Sequence, residues 1–226
     1  MKKGKKMRLN QGNRSYSIVQ TVSTYIGFEL VRQVKCSMII GAQTAFFSVA
    51  GIIAPVFGTS IGSLVAFCLF TALRVAVTST FFLQPVNLLL ISHIPFLVSA
   101  FMFAPRSKKL VSLFFIAAMF LFLVNPVGAQ AWVYPMLWLI PLAVSAYNNT
   151  SVFTRAIRST FAAHAVGSLI YLYTTSMSSS LWVTLTPIAL VERLLFTVGI
   201  MGVYYTVAAF SKSYKHMTFL TTQIKI

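Results

Sequence analysis

The stretch "TPIALVERLLFTVGIMG", residues 186–202, decides the class of this protein. It is apolar enough for the interior of a bilayer, yet Glu192 and Arg193 stand side by side near the middle of a longer apolar run, 181–210. The chain has only two acidic residues, Glu29 and Glu192. A charge at the centre of a membrane helix costs about 2.5–3.5 kcal/mol for Arg, Lys or Asp, so ionisable residues retained there are candidates for function.

The rest of the chain makes the same demand for an apolar solvent. Of its 226 residues, 58% are hydrophobic and 9% charged. A soluble domain carries about a quarter charged residues. A bilayer tolerates such a surface only if the backbone is satisfied internally, so the expected fold is all-α, a polytopic helical membrane bundle. The net charge of +16 is concentrated at the start, where Lys2, Lys3, Lys5, Lys6, Arg8 and Arg14 fall within a basic tail over 1–35. Beside so many apolar segments, that tail indicates a cytoplasmic terminus touching anionic membrane lipids rather than nucleic acid. It does not read as a signal peptide, because polar "LNQGNRSYSIVQTVSTY" separates the basic residues from the first apolar run. Residues 15–34 have the pattern of an interfacial helix. Cys36 and Cys68 form no CxxC site and read as packing residues.

Apolar segments occupy about 36–55, 60–83, 86–104, 109–124, 130–147, 158–175 and 181–210, within a transmembrane domain over 36–210 and before a short basic tail over 211–226. Arg106 with Lys108 and Lys109, Arg155 with Arg158, and Lys212 with Lys215 all belong in the cytoplasm by the charge rule. An even number of crossings must then precede Arg106, where three apolar segments lie. The expectation is that 60–83 or 86–104 is re-entrant, or that the two form one broken crossing. The result is six crossings with both termini cytoplasmic; the alternative is seven, with Arg106, Lys108 and Lys109 outside.

Away from the segment ends, the intramembrane candidates are Arg74, His93, His164, Glu192 and Arg193. Adjacent helical residues diverge by about 100°, so Glu192 and Arg193 are expected to seek partners on other helices, Arg74 or His164 for Glu192. Arg158 is expected to snorkel to the headgroups, and His164 to bond a neighbouring backbone carbonyl. A second cluster, Asn125, Gln130, Trp132, Tyr134 and Trp138 in "VNPVGAQAWVYPMLWLIP", reads either as an interfacial aromatic belt or as an aromatic-lined pocket. The segment "APVFGTSIG" is expected outside, as a gate. In the first span, Gly41 and Ala45, like Ala50 and Ala54, are four apart; on a helix this makes a face for close approach, either for a separate membrane subunit or for packing within the chain.

Enzyme motifs are missing. There is no HExxH, no GxSxG, no phosphate-binding Gly loop and no Asp at all. No metal and no cofactor are expected, and any pumping needs a separate motor. Size, inferred topology, the spacing at Gly41, Ala45, Ala50 and Ala54, the "APVFGTSIG" loop and the "AHAVGSLIYLY" stretch resemble the substrate-binding S components of energy-coupling factor (ECF) transporters. That resemblance implies a protein of the bacterial cytoplasmic membrane that binds a small nutrient in its outer half. It also implies docking through the first span on a transmembrane coupling subunit with ATPases. The candidate substrate-binding residues are then Arg74, His93, Asn125, Trp132, Tyr134, Trp138, His164, Glu192 and Arg193. A stand-alone carrier or channel using Glu192, Arg193 and Arg74, and a structural or assembly protein with no ligand, remain the alternatives.

Overall fold

The computed structural model describes residues 22, 24–32, 34–40 and 43–223, with backbone alone for 35–40, 43–47, 86–90 and 211–223. Helix α1 covers 24–32. An antiparallel hairpin follows, β1 (Lys35–Ile40) and β2 (Gln43–Ser48), with Lys35 opposite Ser48 and Ile40 opposite Gln43. The other elements are helical: α2 (Ala50–Ile53) running into a 3-10 turn (Ala54–Thr59), α3 (Ile61–Phe81), α4 (Val86–Phe103), α5 (Lys108–Val124) and α6 (Pro126–Gln130). A second 3-10 turn (Pro135–Trp138) leads into α7 (Leu139–Tyr147), followed by α8 (Val152–Thr174) and α9 (Ser179–Gln223).

Local chemistry marks most helix starts. Ser60, Ser107 and Ser151 cap α3, α5 and α8 by accepting from the backbone N–H three residues on. Asn125 caps α6, accepting from Val127 and Gly128, with Pro126 at the first helical position. Pro95 and Pro187 lie inside α4 and α9.

Helix α8 is the centre of the bundle, with buried residues along its length. Its closest neighbour is α4, and they run antiparallel. Ala156, Ser159 and Ala162 face inward with no large side chain, so the helices approach closely. At the contact, Ser159 donates to the Ser99 carbonyl at 2.7 Å, and the two hydroxyls lie 2.8 Å apart. Two arginines lock the end of this pair. Arg158, fully buried, donates to the carbonyls of Met102 (2.6 Å) and Ala104 (2.8 Å) and to Asn149 Oδ1 (2.8 Å). Arg155 donates to the Phe103 carbonyl at 2.7 Å and stacks over the Phe103 ring. The last carbonyls of a helix have no partner within it and carry negative dipole, so two guanidinium groups satisfy them without any carboxylate. Arg158 therefore does not snorkel outward as its position near a helix start suggests.

Among the described residues the apolar core falls into three clusters, the smallest of them Phe103, Ala156 and Ile200. One packs Phe115, Phe122, Trp138, Phe161 and Trp182 between α5, α8, α9 and the second 3-10 turn. Another gathers Phe28, Phe57, Phe67 and Ala100. In it, Phe57 and Phe67 stack with centroids 4.3 Å apart while Phe28 meets Phe67 edge-on at 5.2 Å. Helix α1 thus packs into the bundle through Phe28.

Expectations about the first apolar segment and about the 54–59 turn are corrected. The segment 36–55 is not one helix but a hairpin followed by short helical turns, so the small residues do not form one helical stripe. Gly41 lies outside the described residues, Ala45 sits in β2, and Ala50 and Ala54 are fully buried in the second core. Segments 60–83 and 86–104 carry the continuous helices α3 and α4, of 21 and 18 residues. In 130–147, Pro135 and Pro141 divide the path into a 3-10 turn and the short α7. The turn Ala54–Thr59 packs at the end of α4 that leads to Arg106, so it shares a side with that basic patch instead of lying opposite as a gate. Contact there is so close that a Cβ on Gly58 would fall 2.0 Å from the Ala100 carbonyl oxygen.

Among the described residues, two helical stretches are long and apolar enough to cross a membrane: Ile61–Phe81, and Ser179–Phe210 within α9. On α3 the apolar residues Ile61, Val65, Leu69, Leu73, Val77 and Phe81 recur every fourth position and are all exposed. Helix α9 has 45 residues and continues through 211–223. At 1.5 Å per residue it is roughly 67 Å long, about twice a bilayer core.

Candidate functional site

Helices α8 and α9 diverge along one seam and leave a cavity of about 500 Å³. The seam is written as two helical stripes. On α8, Thr160, His164, Gly167, Ser168 and Tyr171 share a face; on α9, Trp182, Leu185, Ala189, Glu192, Arg193 and Phe196 do. Tyr134, from the segment just before the second 3-10 turn, and Pro95 with Phe96 of α4 contribute further wall.

At one end lies a hydroxyl-imidazole cluster. Tyr134 Oη is 3.0 Å from His164 Nε2 and 2.9 Å from Ser168 Oγ. Tyr134 is buried, its ring meeting Trp182 edge-on at 4.8 Å and stacking on Phe122 at 5.4 Å. His164 thus bonds a side chain on another element, not the backbone carbonyl expected for it.

Toward the other end lies the charge pair. Arg193 is 7% exposed; one terminal nitrogen pairs with Glu192 and the other reaches Thr160 Oγ1 at 3.3 Å. Its guanidinium sits 4.6 Å from the Phe196 ring centroid. The expectation that Glu192 and Arg193 would turn to other helices is therefore only half met. Their Cβ atoms diverge, but the long Arg side chain folds back to its neighbour, and only Thr160 on α8 supplies a bond across the seam. Arg74 is not the partner of Glu192, because Glu29 on α1 pairs with it and also lies 3.5 Å from Arg32.

The nine candidate residues divide cleanly. Tyr134, His164, Glu192 and Arg193 line the cavity. Trp138 is fully buried in the adjoining core, edge-on to Phe122 at 5.6 Å. Trp132 is exposed, and Asn125 is a helix cap. His93 and Arg74 belong to a separate polar network on α1, α3 and α4, in which His93 Nε2 lies 3.3 Å from Arg32 and Nδ1 lies 3.0 Å from Ser92 Oγ. Thr160, Ser168, Tyr171, Trp182 and Phe196 were not singled out as site residues. Their signal was the helical spacing, which shows only when the two stripes are laid face to face.

An open flank completes the site. A Cβ on Gly167 would meet nothing within 4 Å, so the helix offers space there rather than contact. The arrangement suits binding: a small set of fixed donors and acceptors set among aromatic and aliphatic walls, at a volume common for small-molecule sites. Comparison with known protein families, with curated proteins and with solved structures finds no match for this chain.

Proposed function

We propose that this chain is a membrane-embedded binding subunit that captures a small molecule in the α8–α9 cavity and works with a separate energising module. The observation that carries the reading is the cavity itself, which joins the Tyr134–His164–Ser168 cluster and the Glu192–Arg193 pair within apolar walls. Burying an ion pair in such a place is costly, and a ligand surface gives that cost a purpose. The exposed apolar stripe of α3 supports a lipid-facing bundle. Six crossings follow from α3, α4, α5, the broken segment through α7, α8 and α9, with Arg106, Arg155 and Lys212 on the cytoplasmic side. On this assignment the parity required by the basic residues is kept, and the non-crossing segment is 36–55. The cavity then opens toward the outer side, near Met177 and Trp182. The energising module enters through the resemblance to S components and the lack of any nucleotide-binding loop in the chain.

Native mass spectrometry of the purified protein tests the reading. The expected result is a retained small molecule that is lost in Gly167→Phe, whose ring would enter the open flank. A Gly167→Phe protein that folds and retains the same molecules as the parent would remove the cavity from the function. Uptake by the chain alone in liposomes without ATP would replace the subunit reading with a stand-alone carrier.

A further inference from the structure

Two buried hydrogen-bond donors on residues that line the cavity have no acceptor among the described residues. Trp182 Nε1 and Arg193 Nε are both buried and unpartnered, on residues that are 2% and 7% exposed. Buried N–H groups in folded proteins are almost always satisfied, and the exceptions mark a place for water, an ion or a ligand. No side-chain oxygen lining the cavity is in the same state among the described residues. Both of these buried unpartnered atoms call for an acceptor. Trp182 and Arg193 are eleven residues apart on α9, three helical turns, so they share a face at a separation of roughly 16 Å along the axis. One stands beside Tyr134 near the start of α9, the other beside Thr160 toward the interior.

Charge narrows the occupant further. Glu192 and Arg193 cancel each other. An anionic ligand would gain Arg193 only beside the Glu192 carboxylate, and a cationic ligand would gain Glu192 only beside the Arg193 guanidinium. Low-dielectric surroundings sharpen both penalties. The walls are aromatic and aliphatic, with Phe96, Trp182, Leu185, Ile188 and Phe196 among them, and favour a flat apolar body.

We propose, building on the cavity reading above, that the ligand is an elongated, flat, uncharged molecule with carbonyl-type acceptors at both ends, one for Trp182 Nε1 and one for Arg193 Nε. Three probes on one frame test this: naphthalene-2,6-dicarboxamide, naphthalene-2,6-dicarboxylate and 2,6-bis(aminomethyl)naphthalene, titrated by calorimetry into the full chain in detergent. The diamide should bind at least about tenfold tighter than either charged probe, and Gly167→Phe should abolish its binding. Trp182→Phe keeps a ring and removes the donor, and Arg193→Lys keeps the charge and removes Nε. Each should weaken the diamide about three- to tenfold, the range of one hydrogen bond. If a charged probe binds as tightly and is blocked by Gly167→Phe, the uncharged class is wrong while the cavity stands. Unchanged diamide affinity in both donor variants would overturn the acceptor assignment. If no probe binds in a manner sensitive to Gly167→Phe, the inference falls; loss of the mass-spectrometric difference as well would take the cavity reading with it.

Discussion

Arg193 and Arg158 are both buried arginines, and their surroundings give them different work. Arg158 spends its guanidinium on two backbone carbonyls and Asn149, all at the end of α4. Lysine cannot reproduce that planar fork. Arg158→Lys should lower the melting temperature in detergent by an amount corresponding to about 2 kcal/mol or more, since bonds from a charged donor contribute about 1.5–3 kcal/mol each. Diamide affinity should be unchanged in the folded fraction; a loss of affinity with unchanged melting would move Arg158 into the binding machinery. Arg193 instead depends on Glu192. Glu192→Gln leaves a buried guanidinium without its counter-charge and should destabilise the protein by about 3–5 kcal/mol. Glu192→Gln with Arg193→Gln should recover part of that loss, whereas Glu192→Gln with Arg74→Gln should recover none, because Arg74 belongs to Glu29. Recovery by the Arg74 change, read from the same melting curves, would contradict the pairing found here.

At the level of elements, the turn Ala54–Thr59 is a wedge between α2 and α4. Its fit depends on Gly58, where the backbone of α4 comes too close for any side chain. Gly58→Ala must push the turn away from Ala100 and Ala104, and overpacking of this kind costs about 1–3 kcal/mol. The expected readout is a lower melting temperature. Gly167→Ala offers the contrast. It adds a methyl group where nothing lies within 4 Å and raises helix propensity, so its melting temperature should be unchanged or higher. Equal loss in the two variants would mean that the α8 flank is closed.

For the whole molecule, the antiparallel course of α3 and α4 fixes which loops share a side. Ser60 and Ser107 lie at one end of the bundle and Ser178 at the other, all three exposed. With Cys36 and Cys68 replaced, single cysteines at Ser60 and Ser107 should resist an impermeant thiol reagent in intact cells, and one at Ser178 should react. Reaction at Ser60 together with Ser178, but not at Ser107, would break the α3–α4 hairpin as a pair of crossings.

The sequence by itself determined the class: apolar content and the scarcity of charge called for helices. It also marked Tyr134, His164, Glu192 and Arg193, because a polar group among apolar neighbours stands out in one dimension. Tertiary structure alone decided which apolar segments are continuous helices. Apolar content is similarly high in 36–55, 60–83 and 86–104, so composition cannot rank them, whereas the pairing of β1 with β2 and the packing of α3 and α4 against the 3-10 turn and α8 do. Partnership was likewise hidden. Whether Arg74 meets Glu192 or Glu29 depends on where α1 lies, and sequence spacing holds no such distance. The cavity walls were the least legible part: Thr160, Trp182 and Phe196 look like ordinary helix residues until the stripes of α8 and α9 face each other, because a site made at a seam belongs to neither helix alone.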